Sequence, residues 1–421
     1  MQGPAGPTNL KLKYIQGNTV NDFSFNLRVA DEQDVVRLRL IEEITPTHDV
    51  TFFEDIDICI EDTVDGYNTV KNHWAEKTTK FLTRKKYSDP TGVAKKYDNT
   101  LKLYRMTGGI IFPISMFASN FDGIIPKETL LGPKVFKNKM INDCENKNEW
   151  AAIALGKKEL KTLPTELQFS SKRVIKLSSA LQRNYYHWMV ECLPKLGVFK
   201  NLLAQPSSFK IVVDHKLPAF VMSSLELFGI QQENLINIRK VTAFSEVIFS
   251  SRLSQSNVTI SPYVRTFYKD FSAQFLQPST RSVTTAKRIY ISRSKASMRR
   301  IVNEDALVEM LLSFGFTIVA NEDYSLLEQA QLFHDADVVV GAHGAGLTNI
   351  LFCRENTKVI ELLHHEFDQG VTSYAALSEL FDLQYKMYVG KAIQDEKESW
   401  NANLNFTVNV KQVKAILSEL L

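Results

Sequence analysis

The sequence predicts an α/β protein built on parallel sheets, and three observations carry that prediction. Between Lys287 and Leu363, short β-branched runs alternate with amphipathic stretches of helical length. The helical stretches open on capping residues, and one closes on Gly315. Two strand-to-helix junctions concentrate arginine and glycine, residue types that receive anions. Alternation of this kind implies right-handed crossovers and a ligand outside the strand C-termini.

The elements follow in order. Arg288 to Arg293 (RIYISR) reads as a strand that delivers Arg293, Lys295, Arg299 and Arg300 into one loop without an acidic residue. Asn303 is placed to cap the next helix, whose first turn carries Glu304 and Asp305. Ser325 and Glu328 have capping-box spacing ahead of LLEQAQLF. Asp337 to Gly341 (DVVVG) is a buried strand, followed by His343-Gly344-Ala345-Gly346 and the helical run Leu347 to Phe352. Glycines at such a turn let backbone N–H groups and the positive end of the helix approach a phosphate. Glu361 lies at the end of the KVIEL strand, where acidic residues of dinucleotide folds hold ribose hydroxyls.

Upstream, residues 1–99 read as a β-rich N-terminal module, because apolar residues alternate in DFSFNLRV and VVRLRLI. Residues 100–280 form a first α/β half and 281–421 a second, with the polar run Gln277 to Ala286 as the linker. Within the first half, NYYHWMVECLPKL is a helix on which Asn184, His187 and Glu191 share one face. Pro194 cannot donate to the carbonyl of Val190, so this helix kinks or ends just after Glu191.

YISRSKASMRRIVNE, DADVVVGAHGAGLTN, KVIEL and NYYHWMVECLPKL together resemble glycosyltransferase family 61, over roughly Leu101 to Lys391. The resemblance implies a GT-B architecture of two Rossmann-like halves facing a cleft, the C-terminal half holding a nucleotide sugar and the N-terminal half the acceptor. It also implies an acidic residue at the position of Glu191 as general base.

Glycosyl transfer needs fixed cations or amides where the leaving diphosphate gains charge, and a base near the acceptor hydroxyl. Arg293, Arg299 and Arg300 suit the first task, with His343 and the Gly344, Ala345, Gly346 and Leu347 backbone; Glu361 suits the ribose. The bland reading of the basic loop is a solvated charge run. Glu191 suits the second task, with His187 either a competing base or a packing residue bonded to Glu191. His343 is a phosphate or sugar donor, or a residue that stabilises its turn. Asn184 and Tyr185 are acceptor-side candidates, although an aromatic residue in such a helix also packs cores. Two DxD look-alikes carry no metal in this reading. Asp335 of Asp335-Ala336-Asp337 ends a helix and Asp337 opens a strand, so their carboxylates do not converge. Asp55 and Asp57 of Asp55-Ile56-Asp57, which can face one side of a strand, lie in the module at residues 1–99, outside the stretch that resembles the family named above. No cofactor is expected beyond the donor substrate.

The expected activity is therefore an inverting, metal-independent transfer from a nucleotide diphosphate sugar, a UDP-sugar in the first instance, to a glycan or polysaccharide hydroxyl. The rivals are a nucleotide-sugar epimerase and a non-catalytic glycan-binding protein. A formal net charge of +3 on 421 residues does not point to nucleic acid; peripheral membrane association and a homo-oligomer stay open. Cys59, Cys144, Cys192 and Cys353 are widely spaced, as in reduced proteins, so a cytoplasmic location is expected. The alternative is a Golgi or ER lumen enzyme with its anchor upstream.

Overall fold

The computed structural model describes residues 8–16, 19–29, 39–44, 57–60, 101–113, 116, 118–119, 124–125, 167–179, 181–204, 209–255, 259–276, 286–367, 373–394 and 401–421. Most of the expected linker and Asp55 of the first DxD look-alike lie outside these residues. The chain divides into two compact units: Met1–Pro46 with Asn99–Ser256, and Thr47–Asp98 with Asn257–Leu421.

The N-terminal strands are β1 (Thr8–Gln16), β2 (Thr19–Val29), β3 (Arg39–Ile44) and β4 (Asp57–Ile60). Strands β5 (Leu101–Thr107), β6 (Ile110–Ile111), β7 (Ala118–Ser119) and β8 (Ile124–Ile125) follow. The first unit is organised by β9 (Gln168–Lys176), β10 (Lys210–Asp214), β11 (Leu235–Ile238) and β12 (Thr242–Ser250). These lie parallel in the order β11-β10-β9-β12, and β5 and β3 extend the sheet antiparallel beyond β12. The chain winds outward from β9 to β11, then returns to its other side. That reversal puts a topological switch point between β9 and β12, the kind of position at which open α/β sheets bind ligands. Phe244, Val247, Val174 and Val212 are among the residues of its core.

Two short strands, β13 (Ser254–Gln255) and β14 (Thr259–Ile260), precede the main elements of the second unit. Its sheet comprises β15 (Arg288–Ile291), β16 (Thr317–Val319), β17 (Val338–Ala342), β18 (Lys358–His364), β19 (Gln384–Ala392) and β20 (Phe406–Thr407). The order is β16-β15-β17-β18-β19-β20, parallel except for β20. The second switch point falls between β15 and β17. Their following residues are the Arg293 loop and His343-Gly344, so the two junctions singled out by sequence are neighbours in the sheet.

The N-terminal strands are shared out between the units. β3 pairs with β5 in the first, and β4 pairs parallel with β19 in the second. Among the described residues, the α-helices of eight residues or more are α1 (Ala219–Leu227), α2 (Tyr263–Phe275), α3 (Glu304–Ser313), α4 (Leu326–Asp335), α5 (Ser373–Leu380) and α6 (Val410–Leu420). Tyr268 and Phe271 of α2 pack on Phe352, which attaches α2 to the second unit. The boundary thus lies before α2, at 256/257, and not in the 277–286 run.

The expected capping box forms at α4: Glu328 N donates to Ser325 Oγ at 3.4 Å, and Ser325 N to Glu328 Oε2 at 2.8 Å. Asn303 behaves differently. It makes no side-chain cap to α3, and its amide instead brackets the backbone of Val408, donating to the carbonyl at 2.8 Å and accepting the N–H at 3.0 Å. A contact across 105 residues has thereby displaced a local one.

Candidate functional site

The site in the second unit is built on the loop between Ser292 and Arg300. Its base is fixed by Glu304 at the start of α3, whose Oε1 accepts from the Tyr290 hydroxyl (2.8 Å), the Ser292 hydroxyl (2.9 Å) and the Arg293 N–H (3.3 Å). Its far end is zipped to the C-terminal segment. Arg299 N donates to the Asn403 carbonyl at 3.1 Å, Arg300 N to Asn405 Oδ1 at 2.8 Å, and Phe406 N to the Arg300 carbonyl at 3.0 Å. Arg299 holds a left-handed backbone at φ 55, an uncommon state for a residue with a Cβ.

That turn separates the arginines. Arg293 and Arg299 are half-buried, and the Nε of each is buried without a hydrogen-bond partner. Burial, and for Arg293 the charge of Arg299 beside it, pull both guanidinium pKa values down, that of Arg293 to about 10. Both remain charged at neutral pH, and two cations sharing a half-buried space favour an anion between them. Arg300 departs from expectation: it is exposed, and its main chain does the structural work. Lys295 is taken by Asp323.

The Arg293 guanidinium lies against Gly344. A Cβ on Gly344 would come within 2.0 Å of an Arg293 terminal nitrogen, so only glycine admits the arginine here. The Gly344 carbonyl accepts from the Tyr374 hydroxyl at 2.6 Å and from Leu347 N at 3.0 Å. Ala345–Phe352 forms a 3-10 helix rather than an α-helix. Its opening amides, Ala345 and Gly346, are at positions without an intrahelical acceptor. Leu347 departs from expectation, because its N–H is spent inside the helix. Asn321 braces the turn by donating to the Gly346 carbonyl at 3.1 Å.

Glu361 is the largest departure. It is 0% exposed, and both its oxygens are engaged, one by His343 Nδ1 and the other by the Tyr385 hydroxyl. It orients a histidine instead of presenting a carboxylate to ribose. His343 is clasped between Phe367 (ring centroids 4.3 Å) and Tyr374 (5.1 Å). Burial lowers its pKa against the opposing pull of Glu361. In the neutral ring, Nδ1 donates to Glu361 and Nε2 is left as an acceptor, suited to a sugar hydroxyl. Glu361→Gln should lose ~1–3 kcal/mol of stability as the buried pairings with His343 and Tyr385 weaken; thermal unfolding measures it, and an unchanged midpoint would show that the carboxylate is dispensable.

The first unit positions the other candidates. Asn184 caps the helix, its Oδ1 accepting from Tyr186 N at 3.0 Å. One α-helical turn (Tyr185–His187) passes into a π-helical turn (Trp188–Cys192), in which Leu193 N donates to the Trp188 carbonyl at 2.8 Å. Pro194 ends it, as expected, and a short helix resumes at Lys195–Val198. The wide turn is anchored by Trp188, whose indole N–H donates to Ser224 Oγ at 2.8 Å. His187 Nδ1 lies 3.0 Å from Glu191 Oε1. Tyr185 sets its ring edgewise to Phe220, with centroids 5.2 Å apart.

Of the DxD look-alikes, the Asp335 carboxylate accepts from Gln331 and that of Asp337 pairs with Arg354. Glu304, Asn321, Tyr374 and Tyr385 support the site without having been singled out from sequence. Only Glu304 had a signal, its place in the first turn of α3.

A family model described as Glycosyltransferase 61 matches residues 185–360. This stretch belongs to glycosyltransferase family 61. It contains His187, Glu191, the Arg293 loop and the His343-Gly344 turn. The EGF domain-specific O-linked N-acetylglucosamine transferase of Xenopus laevis is 35% identical over 108 residues, 24% of this chain and 20% of the relative. The Mus musculus protein of that name is 32% identical over 103 residues, 23% of this chain and 19% of the relative. Alpha-1,3-arabinosyltransferase XAT3 of Oryza sativa subsp. japonica is 32% identical over 95 residues, 21% of this chain and 16% of the relative. The matched stretch therefore spans about a fifth of the length of these family 61 relatives.

Proposed function

We propose that the chain is an inverting, metal-independent glycosyltransferase of GT-B type, moving a sugar from a nucleotide diphosphate sugar, a UDP-sugar in the first instance, to a glycan hydroxyl. The observation that carries this reading is the pairing of Arg293 and Arg299 at the β15/β17 switch point, against Gly344 and the opening of a 3-10 helix. Two guanidinium groups and two backbone amides supply the charge compensation that a leaving diphosphate needs. His343, aligned by Glu361, accepts from a sugar or ribose hydroxyl.

In the first unit, Glu191 takes the proton of the acceptor hydroxyl as its oxygen attacks the anomeric carbon. The bond from that carbon to the diphosphate oxygen breaks, its electron pair leaves with the nucleotide, and the configuration inverts. Glu191 fits this task because its carboxylate is half-buried at a π-helical turn, with His187 Nδ1 3.0 Å from its Oε1.

Calorimetric titration against UDP, GDP, CMP and dTDP in EDTA tests the donor half. Selective binding of UDP is expected. Failure of all four to bind, even after Mn²⁺ is restored, would remove the diphosphate clamp and leave a glycan-binding protein as the better account.

A further inference from the structure

The turn that leaves β16 carries a carboxylate to which no task has been given. β16 pairs with β15 on the side away from β17, and Ser292 N donates to the Val319 carbonyl at 2.9 Å where the arginine loop begins. Asn321–Asp323 then forms a 3-10 turn, in which Asp323 N donates to the Ala320 carbonyl at 3.0 Å. The residues on either side of Glu322 are each tied to one part of the clamp. Asn321 Nδ2 donates to the Gly346 carbonyl at 3.1 Å, and Asp323 pairs with Lys295 of the arginine loop. The backbone of Glu322 is thus held between the glycine turn and the arginine loop.

What this turn offers is acceptors. The Glu322 side chain is exposed and makes no hydrogen bond or ion pair among the described residues. Asn321 is 9% exposed, and the bond to Gly346 fixes which way its amide faces, so its Oδ1 is left buried without a donor. Nor is Glu322 a counter-ion of the clamp: its charge reaches Arg293, yet no ion pair closes between them. An unpaired carboxylate at that place works against a diphosphate by like-charge repulsion. A ligand that brings hydroxyl donors beside its phosphates, as a ribose does, accounts for it.

We infer that Glu322 binds the ribose of the donor nucleotide, its carboxylate accepting from the 2′ and 3′ hydroxyls while Arg293 and Arg299 hold the diphosphate. The inference rests on the nucleotide-sugar reading of the clamp and adds the class of nucleotide to it. Its place in the sheet agrees. In dinucleotide folds the ribose carboxylate follows the phosphate-binding turn by a helix and a strand, and Glu322 follows the arginine loop in that way, after α3 and β16. Glu361 is not available for this, being spent on His343 and Tyr385. A site built to bind a hydroxyl rejects the analogue that lacks it, so the enzyme takes ribonucleotide sugars and refuses deoxyribonucleotide ones.

The test titrates the full chain with UDP, 2′-deoxy-UDP and inorganic pyrophosphate. The parent should prefer UDP to 2′-deoxy-UDP by ~10-fold or more, the worth of a hydrogen bond to a charged group. Glu322→Ala removes an exposed side chain and leaves the fold intact. It should lose most of that preference, binding UDP more weakly while 2′-deoxy-UDP and pyrophosphate bind as tightly as in the parent or more so. Glu322→Asp, which keeps a carboxylate, should hold more of the preference than the alanine variant. If pyrophosphate binds but the parent does not distinguish the two nucleotides, or Glu322→Ala distinguishes them as well as the parent does, the ribose role falls and the clamp stands. If neither UDP nor pyrophosphate binds the parent, the clamp itself fails and the ribose role falls with it.

Discussion

Gly344→Ala is expected to cost as much nucleotide affinity as deletion of the Arg293 side chain. Gly344 is extended at φ 164, a backbone any residue adopts, so alanine meets no conformational obstacle. What it meets is the guanidinium: its Cβ would lie 2.0 Å from one terminal nitrogen of Arg293 and 2.9 Å from Cζ. The other terminal nitrogen is held by the Met298 carbonyl at 3.0 Å, so relieving the overlap means breaking that bond and turning the arginine out of its place. Each charge-assisted hydrogen bond lost to the diphosphate is worth ~1.5–3 kcal/mol, about a 10- to 100-fold loss of affinity. Calorimetry with UDP reads the effect for both Gly344→Ala and Arg293→Ala. If the glycine variant keeps parental affinity, the guanidinium does not meet the phosphates from this position.

Glu191→Gln is expected to leave donor binding intact and lower transfer by about 10²- to 10⁴-fold, the usual worth of a positioned general base. The amide keeps the shape of the side chain and the neighbour His187, but has no lone pair basic enough to take the acceptor proton. Turnover with saturating donor and acceptor, beside UDP affinity, separates the two outcomes. Unchanged turnover would hand the proton to another group, and His187→Gln would then be the next variant to assay.

The strands and helices between Lys287 and Leu363 were legible because each rests on local signals: β-branched runs, a capping box at Ser325 and Glu328, glycine after a helix. The break after Glu191 was legible for the same reason, Pro194 lacking the N–H that the turn requires. Where residues met partners far along the chain, sequence reasoning lost its grip. Glu361 looked like a free carboxylate at a strand end, but the parallel pairing of β18 with β19 brings Tyr385 to it, and β17 brings His343. Arg299 and Arg300 are adjacent in sequence, and only the left-handed turn at Arg299 tells which one faces Arg293. The sharing of N-terminal strands between the two sheets has no local signature at all.

The zipper between the arginine loop and residues 403–408 has a consequence for where a working fragment can be cut. The family match stops at residue 360, yet Arg299, Arg300 and Val302 are held by the backbone of Asn403 and Phe406 and the side chain of Asn405, and Asn303 by Val408. Trimming the chain to its recognisable sequence would release one side of the arginine loop while Arg293, Arg299 and Gly344 were all still present. Residues 403–408 thus shape the arginine loop from outside the stretch that the family model matches, and the ordering of that loop reaches further along the chain than its motif does.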